Sequence, residues 1–306
     1  MFIRKTLTLS LLLVLSACAG DTPTTTGTET GSDTAVVVAA IYPLEFVANR
    51  VAGANAQVEG LTAAGVEPHD LELTAGQIET LIGADLILYI GEDFQPALEA
   101  QLEQVDGVKL DALEGGNLIE GGEAHSDEEE GDHEESEFDP HVWLDAQRMI
   151  QLTRSVEKEL SSIAPGQAGD FKANAAELVE DLESLDQDFV SGLAECERRE
   201  IVTSHSAFGY LAARYELEQH GIAGIDPESE PSPQRLAEVT ELVRSEGVTT
   251  IFFETLLPPA LAETIAGETG TTTAVLDPLE SEPESGDYLT AMRANLIELR
   301  KALGCS

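Results

Sequence analysis

The stretch AVVVAAIYPLEFVANRVAGANAQVEGL, residues 35–61, combines an apolar run, a helical pattern that Pro43 opens, and a second short run at 58–61. Apolar β-branched runs bounded by turn residues predict buried strands. The same order then returns, because a helical stretch at 76–83 leads into the apolar run at 86–90. Strands that alternate with helices of this size predict an α/β fold with a mainly parallel sheet flanked by helices.

The second half of the chain has the same rhythm. Strands are predicted at 201–203, 222–225, 250–254 and 273–276, and helices at 208–217, from about 234, and at 288–303. Between the halves, a helical pattern runs from Pro165 to about Ala194. A helix of about 30 residues is roughly 45 Å long, which exceeds the diameter of either lobe. One long rigid helix, at 164–196, is therefore expected to bridge two lobes at 35–163 and 197–306.

The N-terminus has the features of an export signal. Two basic residues precede an apolar run at 7–15, which is too short to span a bilayer. The run ends in Leu-Ser-Ala-Cys, which resembles a bacterial lipobox, with an ordinary signal peptide and a chance cysteine as the alternative. We expect a signal peptide at 1–17, lipidation of Cys18, a flexible tether at 18–34, and a mature protein on the outer face of the cytoplasmic membrane.

The net charge of the chain narrows its possible binding partners. The 306 residues include 16 Lys and Arg against 58 Asp and Glu, which gives a net charge of −42. Such acidity disfavours nucleic acid as a partner, and also adhesion to an anionic membrane by charge alone.

Once Cys18 is lipidated, the cysteines Cys196 and Cys305 remain. In an oxidising compartment these two most simply form one disulfide, with two free thiols as the alternative.

Three of the six histidines stand in distinctive strings. His69 lies in EPHD, His141 in DPHVWLD and His205 in TSHSAFGY, each where a loop meets a predicted helix. His205 and Asp277 both follow predicted strands, and the carboxyl ends of parallel strands line the ligand crevice of α/β sheets. A single loop histidine is more often a surface or capping residue. Three imidazoles and one carboxylate, however, complete the tetrahedron that Zn²⁺ prefers, and a filled tetrahedron suits storage or transport.

The strings EPHD, DPHVWLD, TSHSAFGY, IFFE and LDPL occur in this order along 35–305 and resemble the zinc/manganese group of solute-binding proteins of ABC transporters. The resemblance implies two α/β lobes bridged by one long helix, with a metal ion in the cleft. It implies His69, His141 and His205 as imidazole ligands and a carboxylate or water as the fourth, for which we choose Asp277. It further implies Zn²⁺ capture and delivery to a membrane permease by a monomeric protein that is not an enzyme.

The choice of metal depends on one position. Manganese-type members carry a carboxylate where this chain has His205, and a further imidazole suits Zn²⁺ better than Mn²⁺. The resemblance therefore favours zinc. Glu254 and Glu67 are candidates for the fourth ligand or for acceptors of a histidine N–H, with solvated or helix-capping acids as the alternative.

The stretch at 114–139 is rich in acids and predicts a loop, because nothing in it can build a core. An acidic, histidine-containing insertion before DPHVWLD is also similar to the zinc branch. His125 and His133 within it are expected either to capture zinc weakly near the cleft or to belong to a solvated linker.

Three other functions remain as alternatives. One is a manganese- or iron-binding homologue, which His205 disfavours, and another is a metal-binding adhesin, whose lipobox, tether and cleft would look the same. A zinc hydrolase is the least favoured, because the sequence contains no HExxH and the four candidate ligands leave no position for a reactive water.

Overall fold

The computed structural model describes residues 34–114, 116–120 and 138–306. The predicted signal peptide, Cys18, the tether up to residue 33, and the loop histidines His125 and His133 lie outside the described residues. Within the described ranges, no helix is both long enough and apolar enough to cross a membrane.

The first half forms the predicted alternation of strands and helices. In chain order these elements are β1 (Ala35–Ala39), α1 (Tyr42–Ala52), β2 (Ala56–Gly60), α2 (Ala75–Ile82), β3 (Leu86–Tyr89), α3 (Pro96–Leu102) and β4 (Val108–Asp111). All four strands are parallel, in the order β2-β1-β3-β4. Pro43 lies in the first turn of α1, and the side chains of Thr74 and Gln77 form a capping box at the start of α2. Local sequence thus sets where these helices begin.

Two helices lead from the first half to the second, α4 (Ala146–Ile163) and α5 (Ala168–Gly192). With 25 residues, α5 is about 38 Å long. It is shorter than predicted because Pro165–Gln167 forms a separate 3-10 turn. Arg50 of α1 lies 2.7 Å from Asp181 of α5, and Arg293, near the C-terminus of the chain, lies 3.0 Å from Asp188. The long helix therefore contacts elements of both halves, as a bridge must.

The second half repeats the architecture of the first. Its elements are β5 (Glu200–Thr203), α6 (Gly209–Arg214), β6 (Glu218–Gly221), α7 (Pro233–Ser245), β7 (Thr250–Phe253), α8 (Ala260–Thr269), β8 (Thr272–Val275) and α9 (Tyr288–Leu303). The strands are again parallel, in the order β6-β5-β7-β8. The described residues thus contain two parallel four-stranded sheets flanked by helices, which confirms the predicted fold class.

One predicted strand is wrong. The strand β6 ends at Gly221, in the polar sequence EQHG, with Val202 opposite His220. Of the apolar run at 222–225, only Ile222 and Ala223 still donate to carbonyl oxygens beside β5, those of Thr203 and Ser204. The run begins the loop that follows β6, where the N–H of Ser206 donates to the carbonyl oxygen of Gly224. The strand β6 lies at the edge of its sheet and pairs along one edge only, so its sequence can be polar. The prediction, which relied on apolar residues, therefore set this strand too late in the chain.

Asp186 of α5 joins the two halves through a hydrogen-bonded cluster. Its carboxylate accepts from Gln147 of α4 at 3.0 Å and from Tyr215 at 3.1 Å, and Arg214 of α6 approaches to 2.7 Å. Burial alone would raise the pKa of Asp186, but the bonds from Arg214 and Tyr215 lower the pKa below its ordinary value. The bridging helix is therefore fastened to both lobes near its C-terminal end.

Cys196 and Cys305 form a disulfide, as the first of the two alternatives expected. The bond joins the segment between α5 and β5 to the end of α9, and the two cysteines are 109 residues apart in the chain. The whole second lobe thus lies within one covalent loop.

Candidate metal centre

Four side chains from separate parts of the chain meet at one point. They are His69, His141, His205 and Glu280, and one ligand atom of each lies within 4.8 Å of the others. The first two come from loops of the N-terminal half, before α2 and before α4. The other two follow β5 and β8 in the C-terminal half. Parallel sheets present their strand ends to a shared cleft, which explains why these distant residues converge.

The distances between the ligand atoms match a tetrahedral metal site. Oε1 of Glu280 lies 3.3 Å from Nε2 of His141, 3.5 Å from Nε2 of His205 and 3.6 Å from Nε2 of His69. The Nε2 atoms of His141 and His205 are 3.3 Å apart. In a tetrahedral zinc site with bonds of 2.0–2.1 Å, neighbouring ligand atoms are about 3.4 Å apart. The three distances to Glu280 and the distance between His141 and His205 thus have the spacing that such an ion requires.

The group is buried and its polar atoms are incompletely paired. His141 and His205 are fully buried and Glu280 is 1% exposed, while the side chain of His69 is 12% exposed. Within the described part of the chain, Nε2 of His69 and Oε1 of Glu280 are buried without a hydrogen-bond partner. Buried polar atoms are normally satisfied, so these two point to a missing partner, and a cation between them fits both.

Carboxylates behind two of the histidines orient the rings. Oδ1 of Asp139 lies 2.8 Å from Nδ1 of His141 and also accepts the backbone N–H of His141. Glu254 lies behind His205, where its Oε1 accepts the backbone N–H and its Oε2 forms an ion-pair contact of 2.7 Å with Nδ1. A proton held on Nδ1 leaves the lone pair of Nε2 directed at the centre of the group. Both rings can therefore present Nε2 to a metal ion.

Residues 37–302 match the model of the ZnuA family, described as zinc-uptake complex component A, periplasmic. The chain belongs to this family. It is 32% identical over 301 residues to the high-affinity zinc uptake system protein ZnuA of Bacillus subtilis, with 95% of this chain and 94% of that protein covered.

The protein AdcA is a longer relative of this chain. The chain is 38% identical over 279 residues to the zinc-binding lipoprotein AdcA of Streptococcus pneumoniae, covering 87% of this chain and 55% of AdcA. It therefore spans about half the length of the AdcA relatives it matches. The crystal structure of the Zn(II)-bound ZnuA-like domain of the same AdcA aligns with a TM-score of 0.74 at 34% identity, covering 88% of this chain and 99% of that domain.

In this ZnuA-family chain, the loop that carries His69 is held by its own contacts. Oε1 of Glu67 accepts the backbone N–H of His69 and lies 4.0 Å from its Nε2. Nε2 of the fully buried Gln95 donates to the carbonyl oxygen of Pro68 at 2.9 Å, and the ring of Phe94 contacts the ring of His69 at its edge, with 4.6 Å between centroids. Glu67 thus lies next to His69 and is not one of the four side chains that meet at the candidate metal centre.

The electrostatics of the site follow from burial and from the mixture of imidazoles and carboxylates. Burial lowers the pKa of His69. Burial would also lower the pKa of His205, but Glu254 and Glu280 raise it to about 10. Burial would raise the pKa of Glu280, yet the three imidazoles around its carboxylate hold that pKa well below its ordinary value. These opposite shifts both favour positive charge at the centre of the group, which either a proton or a divalent cation can supply.

The structure brings Glu280, and not Asp277, to the three histidines. Oδ1 of Asp277 accepts the backbone N–H of Leu279 at 2.8 Å, so this carboxylate stabilises the turn that precedes Glu280. Leu279 has a φ of 60°, in the left-handed region, directly before Glu280. Glu280 directly follows the motif LDPL, so the motif marked the right segment of the chain. Only the direction of the turn decides which acid reaches the cleft.

Proposed function

We propose that this protein is an extracytoplasmic solute-binding lipoprotein that captures Zn²⁺ in the cleft between its lobes and delivers it to an ABC permease. The observation that carries the proposal is the convergence of three imidazoles and one carboxylate, from opposite halves of the chain, at tetrahedral spacing. Membership of the ZnuA family supports the same function. The lipid on Cys18 would hold the protein at the outer face of the membrane, beside the permease.

We further propose His69, His141, His205 and Glu280 as the four ligands of Zn²⁺. Asp139 and Glu254 act as acceptors that orient two of the rings. Three imidazoles favour Zn²⁺ over Mn²⁺, which prefers a set richer in oxygen. Four protein ligands fill the tetrahedron and leave no position for a reactive water, so the donor set supports binding and transport rather than hydrolysis.

Deletion of the gene tests the transport function. A strain without it should stop growing at a low zinc concentration at which the parent strain still grows, because uptake then depends on capture at low concentration. Added zinc should restore growth, and so should the gene carried on a plasmid. Growth curves in chelated medium supplemented with single metals provide the measurement. Normal growth of the deletion strain under zinc limitation, or rescue by manganese alone, would contradict the proposal.

The identity of the fourth ligand can be tested with a pair of isosteric substitutions. Glu280→Gln should weaken Zn²⁺ binding by at least about 10-fold, because an uncharged amide oxygen is a much poorer ligand than a carboxylate. Asp277→Asn should change the affinity by less than about threefold, since its amide oxygen still accepts from Leu279. Competition with a chromophoric chelator measures both constants. A larger loss in the Asp277 variant would return the ligand role to that residue.

A further inference from the structure

One indole links the two segments of the chain that carry His141 and Glu280. Trp143 is fully buried, and its Nε1 donates a hydrogen bond of 2.7 Å to the carbonyl oxygen of Pro278. Trp143 lies two residues after His141, and Pro278 lies two residues before Glu280. A buried hydrogen bond therefore joins a ligand segment of the N-terminal half directly to a ligand segment of the C-terminal half.

The main chain of the same tryptophan is also bonded to the C-terminal half. Tyr288, at the start of α9, is fully buried, and its hydroxyl donates to the carbonyl oxygen of Trp143 at 2.5 Å. The indole ring lies against the imidazole of His141, with 5.1 Å between their centroids. Ring and peptide of Trp143 are thus both held, so the segment that carries His141 has little freedom to move relative to α9.

The turn that carries the carboxylate ligand needs such support. The buried Leu279 has a φ of 60°, in the left-handed region that residues other than glycine rarely adopt. Asp277 accepts its N–H, and Asn295 of α9 bonds both the N–H and the carbonyl oxygen of Asp277. These bonds define the shape of the turn. The bond from Trp143 defines how far the turn lies from the histidine segment.

We propose that Trp143 is a positioning residue that sets the metal preference of the site, an inference that rests on the proposed function. Through Pro278 it holds Glu280 at the 3.3 Å from His141 that suits a tetrahedral ion. Without that bond the carboxylate can withdraw and admit water. Tetrahedral Zn²⁺ loses affinity in a widened site, whereas Mn²⁺ accepts additional oxygen ligands and longer bonds. The indole therefore favours Zn²⁺ by keeping the site small.

Trp143→Phe tests this, because it retains an aromatic ring and removes the N–H donor. We expect the Kd for Zn²⁺ to rise about 10-fold, within the range for residues that orient metal ligands. We expect the Kd for Mn²⁺ to change less than about threefold, so that the ratio of the two constants falls. Competition assays with chelators on the purified chain give both constants, and thermal unfolding without metal gives the accompanying change in stability.

Phe171→Leu is the matched control, since Phe171 is a buried ring of α5 that lies in no ligand segment. It should lower the melting temperature and leave the ratio of the two constants unchanged. An unchanged ratio in Trp143→Phe, or an equal loss of both metals, would overturn the proposal. If Trp143→Phe does not fold, Tyr288→Phe replaces it, because this variant removes the other bond that holds Trp143. The ratio of the Kd for Mn²⁺ to the Kd for Zn²⁺ should again fall, and an unchanged ratio would again overturn the proposal. Failure of the unaltered protein to bind Zn²⁺ would instead overturn the proposed function.

Discussion

Replacing His205 with alanine should lower the affinity for Zn²⁺ by more than about 100-fold, beyond the roughly 10–100-fold loss typical when only an orienting residue is removed. His205 is fully buried, and its Nε2 lies 3.3 Å from Nε2 of His141 and 3.5 Å from Glu280. Without this imidazole, the ion keeps three protein ligands and must take water as the fourth. Isothermal titration calorimetry and chelator competition measure the loss.

The fold should survive this substitution, because the backbone N–H of residue 205 can still donate to Glu254. Circular dichroism of the metal-free variant checks that point. His220→Ala is the matched control, since His220 is a half-buried histidine of β6 whose nearest acidic partner is Glu218, at 3.7 Å. Its Zn²⁺ affinity should equal that of the parent protein. An unchanged titration in His205→Ala would remove the basis for the ligand assignment.

The second large effect concerns stability rather than binding. Replacing both Cys196 and Cys305 with serine should lower the free energy of unfolding by roughly 4–5 kcal/mol, the chain-entropy value for a closed loop in which the cysteines are 109 residues apart. The physical reason is that the unfolded chain gains freedom when the cross-link is absent. Urea-induced unfolding followed by circular dichroism measures the difference.

Zinc binding separates this effect from damage to the site. Neither cysteine belongs to a segment that carries a ligand, so the affinity of the double variant for Zn²⁺ should stay within about threefold of the parent value. A reductant should destabilise the parent protein and leave the double variant unaffected. Equal unfolding midpoints for the two proteins, with and without reductant, would show that the disulfide contributes nothing to stability.

Much of the fold was predictable because its signals are local. The apolar run of β1 and the proline that begins α1 are properties of a few neighbouring residues. Three elements were not predicted, β4, α3 and α8, and the first two have weak local signals. The strand β4 has the sequence VKLD, without a buried residue, and α3 has only seven residues. Both are held in place by the neighbouring strands and helices rather than by their own composition.

For the candidate metal centre, the sequence by itself identified the three histidines that meet there. EPHD, DPHVWLD and TSHSAFGY each place a histidine where a loop meets a helix, and that information lies within a few residues. Only the tertiary structure decided which carboxylate completes the group. Glu280, and not Asp277, lies beside the three histidines, after the left-handed Leu279 and after Pro278, which accepts a bond from Trp143 in the other half of the chain. Contacts between residues so far apart in sequence form only when the lobes pack together, so no local pattern contains them.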